Sequence, residues 1–336
     1  MKQKILSLAI IAASLNATTV LAGDPKVYGK ANLSLNLTDD EGTDTTKLNS
    51  NASRFGIKGS FDASDSIKAI YKFEYETFID DGDDGKTINT CGDIELNDDD
   101  EPVCVGSKKS SNSEFKQRNI YAGFQGGFGT IIAGNHDTPT KLAQGKIDRF
   151  NDLVLGDIKN VIQGENRAKN IIMYTTPKMN GLSATVAFVP GEEDNGDVTD
   201  GVSAAISYKA NGYSFTVAHD DGETIDSSVE SLTRLVGEYK GDGFKLGALY
   251  QVADEGSNDE DGFVLSGEYK LSNGLILKGQ YAESDDETKE ITQTAVGVDY
   301  KLGKKSKIFS YYAKVEADDG VTTDANTFAL GYEIKF

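Results

Sequence analysis

Two histidines, His136 and His219, two cysteines, Cys91 and Cys104, and 54 acidic residues make up most of what this chain offers for chemistry. Neither histidine comes with a nucleophile and a second base, so hydrolytic chemistry finds no support. The run Ser257-x-Asp259-x-Asp261-Gly262-x5-Glu268 approaches a calcium-loop pattern, but that pattern wants a carboxylate first and a helix after it. Here a serine comes first, and 262–268 alternates as a strand. Cys91 and Cys104 have no further Cys or His at zinc-ligand spacing. In an exported chain such a pair is expected to form a disulfide that closes a small loop. No enzyme activity, metal or cofactor is expected. What remains is fixed charge: Arg54, Arg118 and Arg167 with Lys30 and Lys72, and the carboxylates of Asp148, Asp152, Asp157 and Glu165. Their use depends on the elements that carry them.

The N-terminus has the order of an export signal. Lys2 and Lys4 precede an apolar run, Ile5 to Leu15, and Val20-Leu21-Ala22 has the small-x-small form of a cleavage site. Residues 1–22 are therefore expected to be a signal peptide and 23–336 the folded chain. The formal net charge of −20 excludes a general nucleic-acid partner, because phosphate contacts need Lys and Arg. After residue 22 there is no apolar run long enough for a spanning helix. A membrane form of this chain has to be a closed β-barrel.

Period-2 alternation runs through most of the sequence. In VYGKANLSLNL (27–37), Ala31, Leu33, Leu35 and Leu37 share one face, while Lys30, Asn32, Ser34 and Asn36 share the other. In NASRFGIKGSF (51–61) and IKAIYKFEYET (67–77) the same alternation sets Phe55, Ile57 and Phe73 against Arg54, Lys58, Lys72, Glu74 and Glu76. Strands of about ten residues suit a tilted crossing of a bilayer. The connections take turns between two kinds. Short ones, at 62–65, 126–129, 177–181, 209–212, 240–243, 270–274 and 302–307, carry Gly, Asn and Lys. Long, mostly acidic ones fall at 38–51, 80–114, 135–166, 191–200, 220–228, 254–261, 284–289 and 318–323. Fifteen connections join sixteen antiparallel strands. Turns on one side and loops on the other are the pattern of a transmembrane barrel. The apolar face then meets lipid, and the basic residues named above point into an aqueous lumen. Tyr28, Tyr75, Tyr121 and Phe124 lie near strand ends, where an interfacial girdle would need them.

The set VYGKANLSLNL, SRFGIKG (53–59), RNIYAGFQGGFGTIIAGN (118–135), RAKNIIMYTTP (167–177) and the terminal FALGYEIKF (328–336) resembles the Gram-negative general diffusion porins over the whole mature length. The resemblance implies a sixteen-stranded outer-membrane barrel whose third long loop, 135–166, folds inward. It implies that the acids Asp148, Asp152, Asp157 and Glu165 of that loop face the cluster of Arg54, Arg118, Arg167, Lys30 and Lys72. It implies too that Tyr332, Ile334 and Phe336 are read by the barrel-assembly machinery, and that the protein is a homotrimer. Gly29, Ala31 and Gly331 near the seam would let neighbouring barrels approach. Modest cation selectivity is expected from the acidic loops, with the loop acids offsetting the arginines. The alternatives are a solute-selective channel of the same fold and a barrel with an adhesin or receptor role.

Overall fold

The computed structural model describes residues 25–80, 87–96, 102–111, 115–192, 197, 199–256, 258–286 and 289–336, of which 87–96 and 102–111 are described in backbone only. The export signal and the Cys91–Cys104 disulfide lie outside the described residues and side chains. The wall begins with β1 (Lys26–Asp40), β2 (Thr43–Ser50), β3 (Arg54–Ser64) and β4 (Ile67–Thr77). A separate hairpin follows, β5 (Thr87–Leu96) and β6 (Pro102–Ser111). The wall resumes with β7 (Phe115–Gly126), β8 (Gly129–Asp137), β9 (Arg167–Thr175), β10 (Leu182–Val189), β11 (Gly201–Ala210), β12 (Tyr213–Asp221) and β13 (Ser231–Lys240). It ends with β14 (Phe244–Asp254), β15 (Asp259–Lys270), β16 (Leu275–Asp285), β17 (Glu290–Lys301), β18 (Ser306–Asp318) and β19 (Thr322–Lys335).

Segments β2 and β3 are one wall strand with a break. Both pair with β1, the first along its loop-side half and the second along its turn-side half. At the break Ala52 has φ 48°, and the chain turns Asn51 and Ser53 inward, where both are buried. Counting β2 and β3 together, the wall is the closed sixteen-stranded antiparallel barrel expected from the alternation.

Parity behaves as the sequence demands. On β1 Leu35 and Leu37 are exposed at the outer surface, while Ser34 and Asn36 are only 1% exposed inside. On β14 Leu246, Ala248 and Tyr250 are exposed and Gly247, Leu249 and Gln251 are buried. The outer face displays a continuous set of large apolar residues, among them Phe55, Ile57, Phe61, Phe73, Leu235, Leu265, Val296 and Leu330. An aqueous surface does not carry so large an apolar area, whereas hydrocarbon covers it. Tyr28 and Tyr121 depart from the girdle expectation. The Tyr28 hydroxyl donates to Glu74 at 2.8 Å, and Tyr121 lies beside His136, both inside the lumen.

The loop side is taller than the sequence suggests. Segment 38–51 is not a loop: β1 and β2 continue upward and meet at Glu41-Gly42, a two-residue turn with φ 50° and 81°. Paired positive φ values match the twist of the two strands. The acidic rim residues are solvated on both faces, so they show no alternation. The inward loop is also shorter than expected, because β8 continues through Asp137, leaving 138–166.

Closure is made by β1 and β19, in register from Lys30 opposite Lys335 to Asp40 opposite Ala325. Below that, Gly29 and Phe336 exchange backbone hydrogen bonds, N to O at 3.2 Å and 3.1 Å. A Cβ on Gly29 would collide with the Phe336 ring, so a side chain there forces the ring to move. Gly331 faces inward beneath Phe309. Neither glycine is therefore a surface for a neighbouring barrel, which corrects the role given to them above. Placing Leu at Gly29 displaces the terminal ring and costs about 1–3 kcal/mol. Gly29→Leu is expected to lower the temperature at which the folded band is lost in unheated detergent gels. Ala31→Leu, which adds the same side chain two residues along on the same face, should leave it in place.

Candidate functional site

Residues 138–166 leave the wall between β8 and β9 and run along the inside of the barrel. The segment opens with a short helix, α1 (Pro139–Ala143). The Thr138 hydroxyl caps it by accepting from Lys141 N at 3.1 Å, and Pro139 occupies the first turn, where no amide is needed. Ala143, Ile147, Ile158, Val161 and Ile162 then pack on Ala218, Val236, Leu249, Val264 and Ala282, which are inward positions of β12 to β16. Phe150 packs on Phe309, Tyr311 and a row of alanines on β17 to β19. The wall is cut to fit. A side chain on Gly247, Gly262 or Gly297 would collide with Ile147, Ile162 or Phe150. These small residues on the polar-parity face are a sequence signal of the docked loop that the alternation reading passed over.

The loop backbone would be unsatisfied inside a barrel without local partners. Inward polar side chains provide them. Gln280 donates to Gly156 O at 2.9 Å and accepts from Arg149 N at 2.8 Å. Gln293 donates to Leu155 O at 2.8 Å, and Ser284 to Val161 O at 2.7 Å. Arg234, 0% exposed, donates to Thr140 O at 3.3 Å, to Gln163 O at 2.6 Å and to the Glu165 carboxylate at 2.9 Å. Removing one member of such a buried pair typically costs about 3–5 kcal/mol. Tyr311 ties the loop tip to the seam, donating to Val154 O at 3.1 Å and accepting from Asn36 at 3.0 Å.

The four expected acids have different fates. Asp148 is buried and accepts from Phe150 N at 2.9 Å and Ile158 N at 3.3 Å. Burial, then the nearby Asp157 carboxylate, pushes its carboxyl well above the usual range. Asp157 accepts from Asp152 N at 2.9 Å and Lys159 N at 3.0 Å. Glu165 belongs to the Arg234 anchor, and burial raises its carboxyl despite that partner. Only Asp152 crosses to the basic wall. Its backbone is left-handed at φ 69°, a conformation that Asp tolerates better than most residues. Its carboxylate meets Lys30 at 2.8 Å and also Arg54. Burial alone would raise this carboxyl, but Lys30, Arg54 and Arg118 outweigh burial and hold it at about 2.

The remaining bases are met by acids of the wall itself. Arg118 pairs with Glu76 at 2.7 Å and Glu74 at 3.4 Å, Lys72 with Glu74 at 3.2 Å, and Arg167 with Asp137 at 2.8 Å. Five bases, Lys30, Arg54, Lys72, Arg118 and Arg167, thus surround four carboxylates, Asp152, Glu74, Glu76 and Asp137. Lys58, inward on β3 and without an ion pair among the described residues, adds to the basic side. The expectation of cation preference took its sign from the acidic outer loops and relied on several inward-loop acids to offset the arginines, and the geometry supplies one such acid. Asp137, Arg149, Arg234 and Lys278 were not singled out from sequence. All but Arg149 occupy inward strand positions, so parity was the available signal.

A family model described as Gram-negative porin matches residues 6–320. The chain belongs to the Gram-negative porin family. Among solved structures, an anion-selective porin from Comamonas acidovorans has a TM-score of 0.71 at 17% identity, covering 94% of this chain and 100% of that one. The outer membrane channel DcaP of Acinetobacter baumannii gives 0.68 at 14%, with 95% and 99% covered. OmpF of Salmonella typhi, in complex with daunomycin, gives 0.67 at 14%, with 93% and 98% covered. No curated protein matches the sequence. The porin is an outer-membrane β-barrel and a passive channel.

The Asp152 pair carries a pH dependence of defined sign. The folded carboxyl lies below its usual value of 3.8, so the pair's contribution is complete above that value and is lost as pH falls through about 2. Single-channel current is expected to stay quiet from pH 7 to pH 4 and to become noisy as pH approaches 2, when the tip is released. Asp152→Asn should show that noise already at pH 7. A quiet Asp152→Asn channel would mean that the tip is held by its apolar footing alone.

Proposed function

We propose that the porin is a general diffusion channel for small hydrophilic solutes and ions, and that its constriction gives a modest preference for anions. The observation that carries this reading is Asp152, the one acid of the inward loop that reaches a wall of five bases. The acidic loops act against it at the outer mouth, but their field fades within about 10 Å at 0.1 M salt. The narrow section, where ion and wall are closest, sets the sign. The Comamonas fold relative described as anion-selective agrees with that sign. The ion pairs that line the gap, Asp152 with Lys30 and Arg54 and Glu76 with Arg118, make a strongly polar lining that favours polar solutes over apolar ones.

A reversal potential measured in a tenfold KCl gradient tests the proposal. Wild type is expected to be weakly anion-selective, Asp152→Asn more so, and Arg54→Gln with Arg118→Gln cation-selective with larger conductance. A cation-selective wild type at low salt would show that the outer loops dominate. Absence of conductance would remove the channel reading altogether.

Residues 1–22 are read as the export signal and Cys91–Cys104 as a disulfide. The ordered terminal strand with Tyr332, Ile334 and Phe336 facing outward fits recognition by the assembly machinery. A homotrimer fits the closed symmetry usual for identical subunits. Light scattering of unheated detergent extracts should give three times the monomer mass, and a monomer alone would rule it out.

A further inference from the structure

The lumen has a second charged region, on the short-turn side beneath the inward loop. It is a cavity of about 400 Å³ lined by the loop, by the turn-side ends of β14 to β19 and by the 302–305 turn. Nine basic and four acidic side chains line it. The acids are all committed. Asp299 holds Lys278 at 3.2 Å and Lys307 at 2.7 Å, and Glu268 holds Lys245 at 2.6 Å and Arg149 at 3.5 Å. Glu333 holds Lys335 at 2.8 Å, and Asp148 is used by backbone amides of the loop. Lys146, Lys301, Lys304 and Lys305 are left without an ion pair among the described residues.

These four ammonium groups sit on rigidly connected pieces. Lys301 ends β17 opposite Lys307. Lys305 O accepts from Lys335 N at 2.7 Å, which fixes the turn to β19. Lys146 comes from the far side, one residue before buried Ile147. Like charges drawn to one cavity by the backbone repel unless an anion joins them. A monoanion can meet only one or two of them at a time. A compact chain of several phosphates carries several charges at once and offers a number of charged oxygen acceptors to the –NH3+ groups around it.

We infer that this vestibule is a binding site for compact oligophosphates entering from the short-turn side, distinct from the constriction at Asp152. The inference rests on the channel reading. A bound oligophosphate adds bulk and negative charge to the turn-side lumen below the inward loop, so it is expected to reduce the current. The site gives the basic residues of the 302–307 turn, which the constriction does not use, a functional role.

Sodium tripolyphosphate added to one chamber of a planar bilayer holding the wild-type channel tests it. Block is expected from one chamber at a half-blocking concentration at least tenfold lower than from the other, and orthophosphate should require at least tenfold more than tripolyphosphate. Lys301→Gln, Lys304→Gln and Lys305→Gln together should raise the half-blocking concentration at least tenfold while leaving conductance in KCl near wild type, which also shows that the variant is folded. Lys146→Gln, on the loop, should raise it by a smaller factor and provides a second reading should the triple variant fail to assemble. Equal block from both chambers, equal potency of orthophosphate, or block unchanged by the lysine variants would overturn the inference. A wild type with no conductance would instead overturn the channel reading.

Discussion

In hydrocarbon an amide without a partner costs several kcal/mol, and no water is available to take its place. This requirement shapes the whole porin. It excludes a free strand edge, so β19 has to find β1, and it makes the last residue part of the wall. Gly29 and Phe336 show how tightly the requirement is met. The final backbone groups are paired, and the final ring is seated on the one residue that has no side chain to obstruct it. The outward apolar residues follow from the same requirement, since a closed wall with satisfied backbone is stable in lipid only if its outer face is itself apolar.

The same constraint returns inside the barrel in another form. Residues 138–166 place a loop where little water remains between it and the wall, so its carbonyls and amides need protein partners. Gln280, Gln293, Ser284 and Arg234 meet them from inward positions, and glycine and alanine at neighbouring inward positions admit Ile147, Phe150 and Ile162. The inner wall from β12 to β19 is thus a docking surface that is partly apolar. The wall from β3 to β9 keeps its charges for the lumen. The two halves of one barrel do different work.

Much of this was legible from alternation. FALGYEIKF shows two faces in nine residues, and the structure puts Phe328, Leu330, Tyr332 and Ile334 outside and Ala329 and Gly331 inside. Arg54, Arg118 and Arg167 were readable as inward by the same parity. The loop acids were not, because an irregular segment has no period and so no face. Asp148 and Asp157 look like pore acids in sequence, and they turn out to hold backbone amides of their own loop. The partners of Arg118 depended on cross-strand register, including the irregularity between Phe73 and Tyr75, which no single strand reveals. The rim of β1 and β2 was misread as a loop because strand residues bathed in water on both sides need not alternate.

The loop lies against only one side of the barrel. It follows the wall from β11 to β19 and hands over to Lys30 and Arg54 at Asp152, so the free opening lies between its edge and the arc of β3, β4, β7 and β9. A gap between a loop lying along one wall and the curved wall opposite has the geometry of a slot rather than of a round hole. A slot sieves by the two smaller dimensions of a solute and exacts a loss of tumbling freedom that depends on shape. A flat ring or an extended chain keeps several permitted orientations on entry, and a sphere of equal mass has none that helps. For a slot, molecular mass alone is a poor guide to what passes, and solutes of the same weight are separated by their profile.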